Sequence, residues 1–68
     1  MTENRIGSER ARLRMSQKEL AEHFNMSTRT LQRYEQDASN TPIQKLKLFA
    51  EFFGCSIDYL IGLSNERM

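Results

Sequence analysis

The chain has 68 residues, of which 38% are hydrophobic and 28% charged, which suits one folded domain and argues against disorder. A chain this short affords only a small core and tight connections. Its net charge is +1, from 10 basic and 9 acidic side chains, which excludes a uniform basic coat. Any anion-binding face must therefore arise from placement rather than bulk charge.

The apolar runs are too short to span a membrane, and the start Met1-Thr2-Glu3-Asn4-Arg5 has no apolar stretch behind it, so no secretory signal is expected. Cys55 is the single cysteine. It can form no internal disulfide, has no metal-ligand spacing, and points to a cytoplasmic chain. The expectation for it is a small, partly buried apolar residue at a helix start. His23 stands alone and reads as a surface or half-buried residue. No metal and no cofactor are expected. Without a Ser/Cys–His arrangement, a glycine-rich loop or a metal cluster, the chain does not read as an enzyme.

Taken in order, residues 3–14 read as an arginine-rich helix with Ile6 and Leu13 on one side, against which Gly7 works slightly. Ser16-Gln17-Lys18-Glu19 is a capping box that opens a helix over 17–24, with Leu20, Ala21 and Phe24 on one face. Asn25 then turns the chain, since asparagine tolerates left-handed backbone better than most residues. Ser27 caps a third helix over 28–36. After the polar stretch Asp37-Ala38-Ser39-Asn40, the run Thr41-Pro42-Ile43-Gln44 predicts a helix over 42–53. Thr41 would be its cap, Pro42 its first residue and Gln44 the partner in a capping box. Its apolar stripe is Ile43, Leu46, Phe49, Ala50 and Phe53, and Gly54 ends it. Ser56 caps a last helix over 56–62, with Asp58 at its positive end. The reading is a single all-α domain over 1–68, with no strand signal, no repeat and no low-complexity tract.

The helices over 17–24 and 28–36 are joined by only Asn25, Met26 and Ser27, which forces a steep crossing and predicts a helix-turn-helix over 17–36. An ordinary helical hairpin would share that turn. The second helix is more informative. At about 100° per residue, Thr28, Arg29, Gln32, Arg33 and Gln36 fall in one arc, and Thr30, Leu31 and Tyr34 in the opposite one. The first arc holds no carboxylate and no apolar residue. Arginine can meet guanine O6 and N7, glutamine can meet adenine N6 and N7, and threonine can meet a thymine methyl. A merely solvated face would more often mix glutamate with lysine.

The run Gln17-Lys18-Glu19-Leu20-Ala21-Glu22-His23-Phe24, then Met26-Ser27, then Thr30-Leu31-Gln32-Arg33-Tyr34-Glu35, resembles the signature of the Cro and phage-repressor (XRE-type) family. The segment from Gly54 to Gly62 resembles that family's closing helix, and the likeness extends from about Arg5 to Leu63. The resemblance implies a compact five-helix, lambda-repressor-like domain that binds double-stranded operator DNA as a homodimer on a two-fold site. It further implies a bacterial or phage transcriptional repressor located in the cytoplasm, at the nucleoid. Thr28, Arg29, Gln32 and Arg33 match positions that reach bases. Gln17 matches a position that bonds phosphate and braces the recognition helix, and Ser16, Ser27, Ser39, Asn40 and Thr41 are further phosphate candidates. Arg10 and Glu35 match an ion pair between the first and third helices.

Two departures from the family pattern stand out. Asn25 occupies a turn position that is usually glycine. The loop after Glu35 lacks the usual basic residues and carries Asp37, which predicts a shallow dependence of binding on salt. In the fourth helix Leu48 and Phe52 project away from the core stripe. They either pack on the last helix or, with Leu63 and Met68, form a dimer or partner interface. A second regulator or RNA polymerase is a further possible partner. The alternative to a DNA reader is a protein-interaction module, or an antitoxin-like partner, that has kept the fold.

Overall fold

The computed structural model describes residues 4–67, apart from the side chain of Ala38. Five α-helices follow one another: α1 (Ile6–Arg12), α2 (Gln17–His23), α3 (Thr28–Gln36), α4 (Ile43–Phe53) and α5 (Ile57–Leu60). A 3₁₀ turn, Ala38–Asn40, occupies part of the stretch expected to be irregular. No strand forms among the described residues. No helix among them is long and apolar enough to cross a membrane.

The starts of the helices follow from their capping residues. Ser16 Oγ accepts from the Glu19 N–H while Glu19 reaches back to the Ser16 N–H, closing the capping box of α2. Ser27 caps α3 through the Thr30 N–H, and Ser56 caps α5 through the Tyr59 N–H. Each such cap contributes about 1 kcal/mol. The start of α4 differs from the sequence expectation. Pro42, with ψ 146°, is itself the cap residue, and no side chain caps the helix. Thr41 therefore stands one residue too early to cap, and its hydroxyl is buried with no hydrogen-bond partner among the described residues.

Four helices end in the same way. Arg14, Asn25, Gly54 and Gly62 all have positive φ, at 58°, 54°, 73° and 88°. In each case the next N–H reaches back five residues: Met15 to Arg10, Met26 to Ala21, Cys55 to Ala50 and Leu63 to Asp58. This is the Schellman arrangement, which satisfies carbonyls that the helix end would leave bare. It stops α1 at Arg12 and α5 at Leu60, so both are shorter than the expected 3–14 and 56–62. Glu3 and Met68 lie outside the described residues.

Ile6, Leu20, Leu31, Phe49 and Leu60, drawn from all five helices, are fully buried. At about 1.5–3 kcal/mol for each large apolar side chain removed from water, they are the main source of stability. Ala21 is buried where α2 meets α3, as its small size allows. Two residues expected in the apolar stripes lie outside this core. Ile43, the first residue of α4, is 58% exposed, and Leu13, the residue that caps the end of α1, is 37% exposed.

The chain after α5 folds back on α1. Arg5 donates to the carbonyls of Tyr59 and Ser64, and its guanidinium lies 4.2 Å from the Tyr59 ring centroid. Glu9 is buried and takes hydrogen bonds from Arg12 Nε at 3.1 Å and Arg67 Nη2 at 2.7 Å. Both arginines also donate to the Phe53 carbonyl at the end of α4. Cys55 is buried beside this cluster, and its thiol pKa is raised by burial and then by the Glu9 carboxylate.

Candidate nucleic-acid interface

The turn between α2 and α3 is set by Asn25, whose left-handed backbone lets Met26 and Ser27 lead directly into the next helix. Leu31 anchors α3 in the core, while Thr30 and Tyr34 are half-buried on either side of it. Asn4 adds a tie from outside the motif: its Nδ2 donates to the Tyr34 carbonyl at 2.6 Å and its Oδ1 accepts from the Ile6 N–H. On the opposite side of α3, Arg29, Gln32, Arg33 and Gln36 are exposed and Thr28 is half-buried. The structure therefore gathers Thr28, Arg29, Gln32 and Arg33 on one solvent face of a nine-residue helix.

That helix is held from behind by Glu35. Arg10 Nε donates to Glu35 Oε2 at 2.9 Å, and Arg10 Nη2 reaches Oε1 at 3.4 Å. Arg10 Nη1 also donates to the Met15 carbonyl, so one guanidinium ties α1, the link to α2, and α3. Gln17 Nε2 donates to Glu35 Oε1 at 3.2 Å, and Gln32 Nε2 donates to Gln17 Oε1 at 3.2 Å. The pair Arg10–Glu35 is only 20% and 12% exposed. Removing one partner of so enclosed a pair leaves the other poorly solvated, at a cost on the order of 3 kcal/mol.

The residues expected at phosphates are less uniform. Ser16 and Ser27 are exposed, but their hydroxyls already serve as caps. Ser39 is exposed, and both its N–H and its hydroxyl donate to Asp37 Oδ1. Those bonds hold the Asp37 carboxyl below its ordinary pKa, so it stays charged at neutral pH. Asn40 is exposed beside it. Thr41 is a correction: it is 7% exposed with its hydroxyl turned inward, out of reach of a phosphate.

The apolar residues assigned to an interface also divide. Leu48 is 44% exposed and Leu63 72% exposed. Phe52 is half-buried, its ring lying 4.6 Å from His23, and 5.5 Å from both Phe24 and Phe53. It packs onto the end of α2, and no contact with α5 is needed to account for it. His23, expected as a surface or half-buried residue standing alone, is exposed and forms the edge of this aromatic cluster. In the Glu9 cluster only the Arg12 pair, at i,i+3 on α1, had a local sequence signal; Arg67 is 58 residues away along the chain.

Comparison with known proteins agrees with this geometry. A family model described as helix-turn-helix matches residues 6–60, and the chain belongs to that family, of the Cro and phage-repressor (XRE) type. It is a DNA-binding domain of the kind typical of transcriptional regulators. No curated protein and no solved structure matches the chain.

Proposed function

We propose that this domain is a sequence-specific transcriptional regulator, acting as a repressor, that reads operator DNA by inserting α3 into the major groove. The observation that carries this reading is the solvent face of α3, where Thr28, Arg29, Gln32, Arg33 and Gln36 stand together without a carboxylate or an apolar residue. Arg29 and Arg33 are the guanine readers and Thr28 lies at the end of the helix nearest the groove floor. Gln17, Ser16, Ser27, Ser39 and Asn40 position the domain on phosphates without adding charge. Binding as a homodimer would place two copies of α3 roughly 34 Å apart in successive major grooves. Occupying the operator in this way would exclude polymerase.

The test is a fluorescence titration of the DNA upstream of the protein's own gene at rising salt, comparing wild type with Arg29→Ala and Arg33→Ala. Each substitution should weaken specific binding by about 1–3 kcal/mol. Random DNA should be affected far less, and the salt slope should be shallow because few cations flank the face. Unchanged specific and random binding in both variants would overturn the assignment of base readers.

A further inference from the structure

The hydrogen bonds behind α3 have a direction that can be followed outward from Glu35. A carboxylate only accepts, so Gln17 must turn its NH₂ group toward Glu35 Oε1, 3.2 Å away. That orientation leaves Gln17 Oε1 facing α3, where it accepts from Gln32 Nε2 at 3.2 Å. An amide oxygen cannot donate, so Gln32 must turn its NH₂ edge toward α2 and spend one of its two N–H donors there. Gln32 Oε1 accepts no hydrogen bond among the described residues, and the side chain is exposed on the reading face. Arg10 fixes the origin of the relay by gripping Glu35 through both oxygens while holding the Met15 carbonyl.

A free glutamine flips its amide at little cost and can offer either end to a base. Here a flip would set Gln32 Oε1 against Gln17 Oε1, and Gln17 cannot relieve the clash without turning its own oxygen toward Glu35. We propose that this relay gives Gln32 a fixed polarity, so that it presents an amide oxygen to the groove. It therefore selects a base bearing an exocyclic amine, adenine N6 or cytosine N4, over one bearing guanine O6 or thymine O4. Gln17 and Glu35 are the positioning residues, and Gln32 is the one that touches the base. This inference rests on the major-groove reading proposed above.

Selection of duplexes from a randomised library, by wild type, Gln32→Leu, Gln17→Met and Arg29→Ala, separates the two ideas. The position flattened by Gln32→Leu is the one read by Gln32. Wild type should prefer adenine or cytosine there by about ten-fold, within the range for a good base contact. Gln17→Met keeps side-chain length and helix propensity, and it should reduce that preference to about two-fold or less while positions lost in Arg29→Ala stay sharp. If Gln17→Met does not fold by circular dichroism, wild type alone serves. Removing the amine at that position with a purine or pyrimidinone analogue should then abolish the preference. A selected site with guanine or thymine there overturns the relay and leaves the groove reading intact. So does a preference unchanged in Gln17→Met or by the analogue, or the absence of any position sensitive to Gln32→Leu. If wild type selects no sequence at all, the groove reading itself fails.

Discussion

A Cβ added at Gly7 would lie 3.0 Å from Glu35 Oε1, the same oxygen that accepts from Gln17. Replacing a helical glycine by alanine ordinarily gains up to about 1 kcal/mol, and Gly7 is the second residue of α1. Here the carboxylate would have to yield, and it is held by Arg10 and Gln17. Gly7→Ala is therefore expected to lower stability rather than raise it, with a lower Tm and weaker specific DNA binding. A double-mutant cycle with Glu35→Ala checks the cause: the loss should disappear once the carboxylate is gone.

Leu48 and Phe52 lie on neighbouring turns of α4 but differ in what they touch. Phe52 packs on His23, Phe24 and Phe53, so Phe52→Glu would damage the fold and say little about assembly. Leu48 is the exposed member. If the proposed dimer forms through this face, wild type sediments as a dimer at micromolar concentration. Leu48→Glu should then sediment as a monomer with unchanged helical circular dichroism. A variant that remains dimeric places the interface elsewhere.

Much of the fold was legible because its determinants are local. Ser16, Ser27 and Ser56 each announce the helix that begins at the next residue, and the spacing of Leu20, Ala21 and Phe24 follows the helical period. The exposed polar face of α3 was legible for the same reason. What escaped depended on contacts distant in sequence or on backbone that only the fold can impose. Thr41 and Pro42 contain the residues of a cap but are shifted by one position, because Pro42 takes the extended conformation. Gly7 reads as a weak helix former until Glu35, 28 positions on, is seen beside it. Arg14 carries no composition signal for left-handed backbone, yet it adopts the conformation that Asn25 and Gly54 were expected to take.

The Glu9 cluster gives the domain a defined response to acid. Burial raises the Glu9 pKa, but hydrogen bonds and charge from Arg67 and Arg12 outweigh it and bring the carboxyl below its ordinary 4.5. A depressed folded pKa means that the unfolded chain binds the proton first. The stabilisation is therefore fully present above about pH 4.5 and is lost as pH falls through the lower, folded value. Glu19, held down by its capping bonds from Ser16, acts in the same direction. Thermal melts between pH 7 and 3 should show Tm falling over this window. Glu9→Gln should melt lower at pH 7, by about 1–2 kcal/mol because both arginine partners can rehydrate, and its acid limb should be flatter.

Arg14 and Asn25 both end a helix in left-handed backbone, at φ 58° and 54°, where Gly54 and Gly62 do so without a side chain. An L-residue pays roughly 1–2 kcal/mol for that conformation, and asparagine pays less because its short polar side chain is accommodated there. Part of any gain from glycine is returned through the greater freedom of the unfolded chain. Arg14→Gly should thus stabilise the domain by about 1 kcal/mol, raising Tm by roughly 4–8 °C for a chain of this size. Asn25→Gly should give a smaller gain. A β-branched residue at either position should do the reverse, and Asn25→Val should also weaken DNA binding, since the angle between α2 and α3 depends on that turn. Equal Tm for Arg14→Gly and wild type would mean that the left-handed turn at the end of α1 carries no strain.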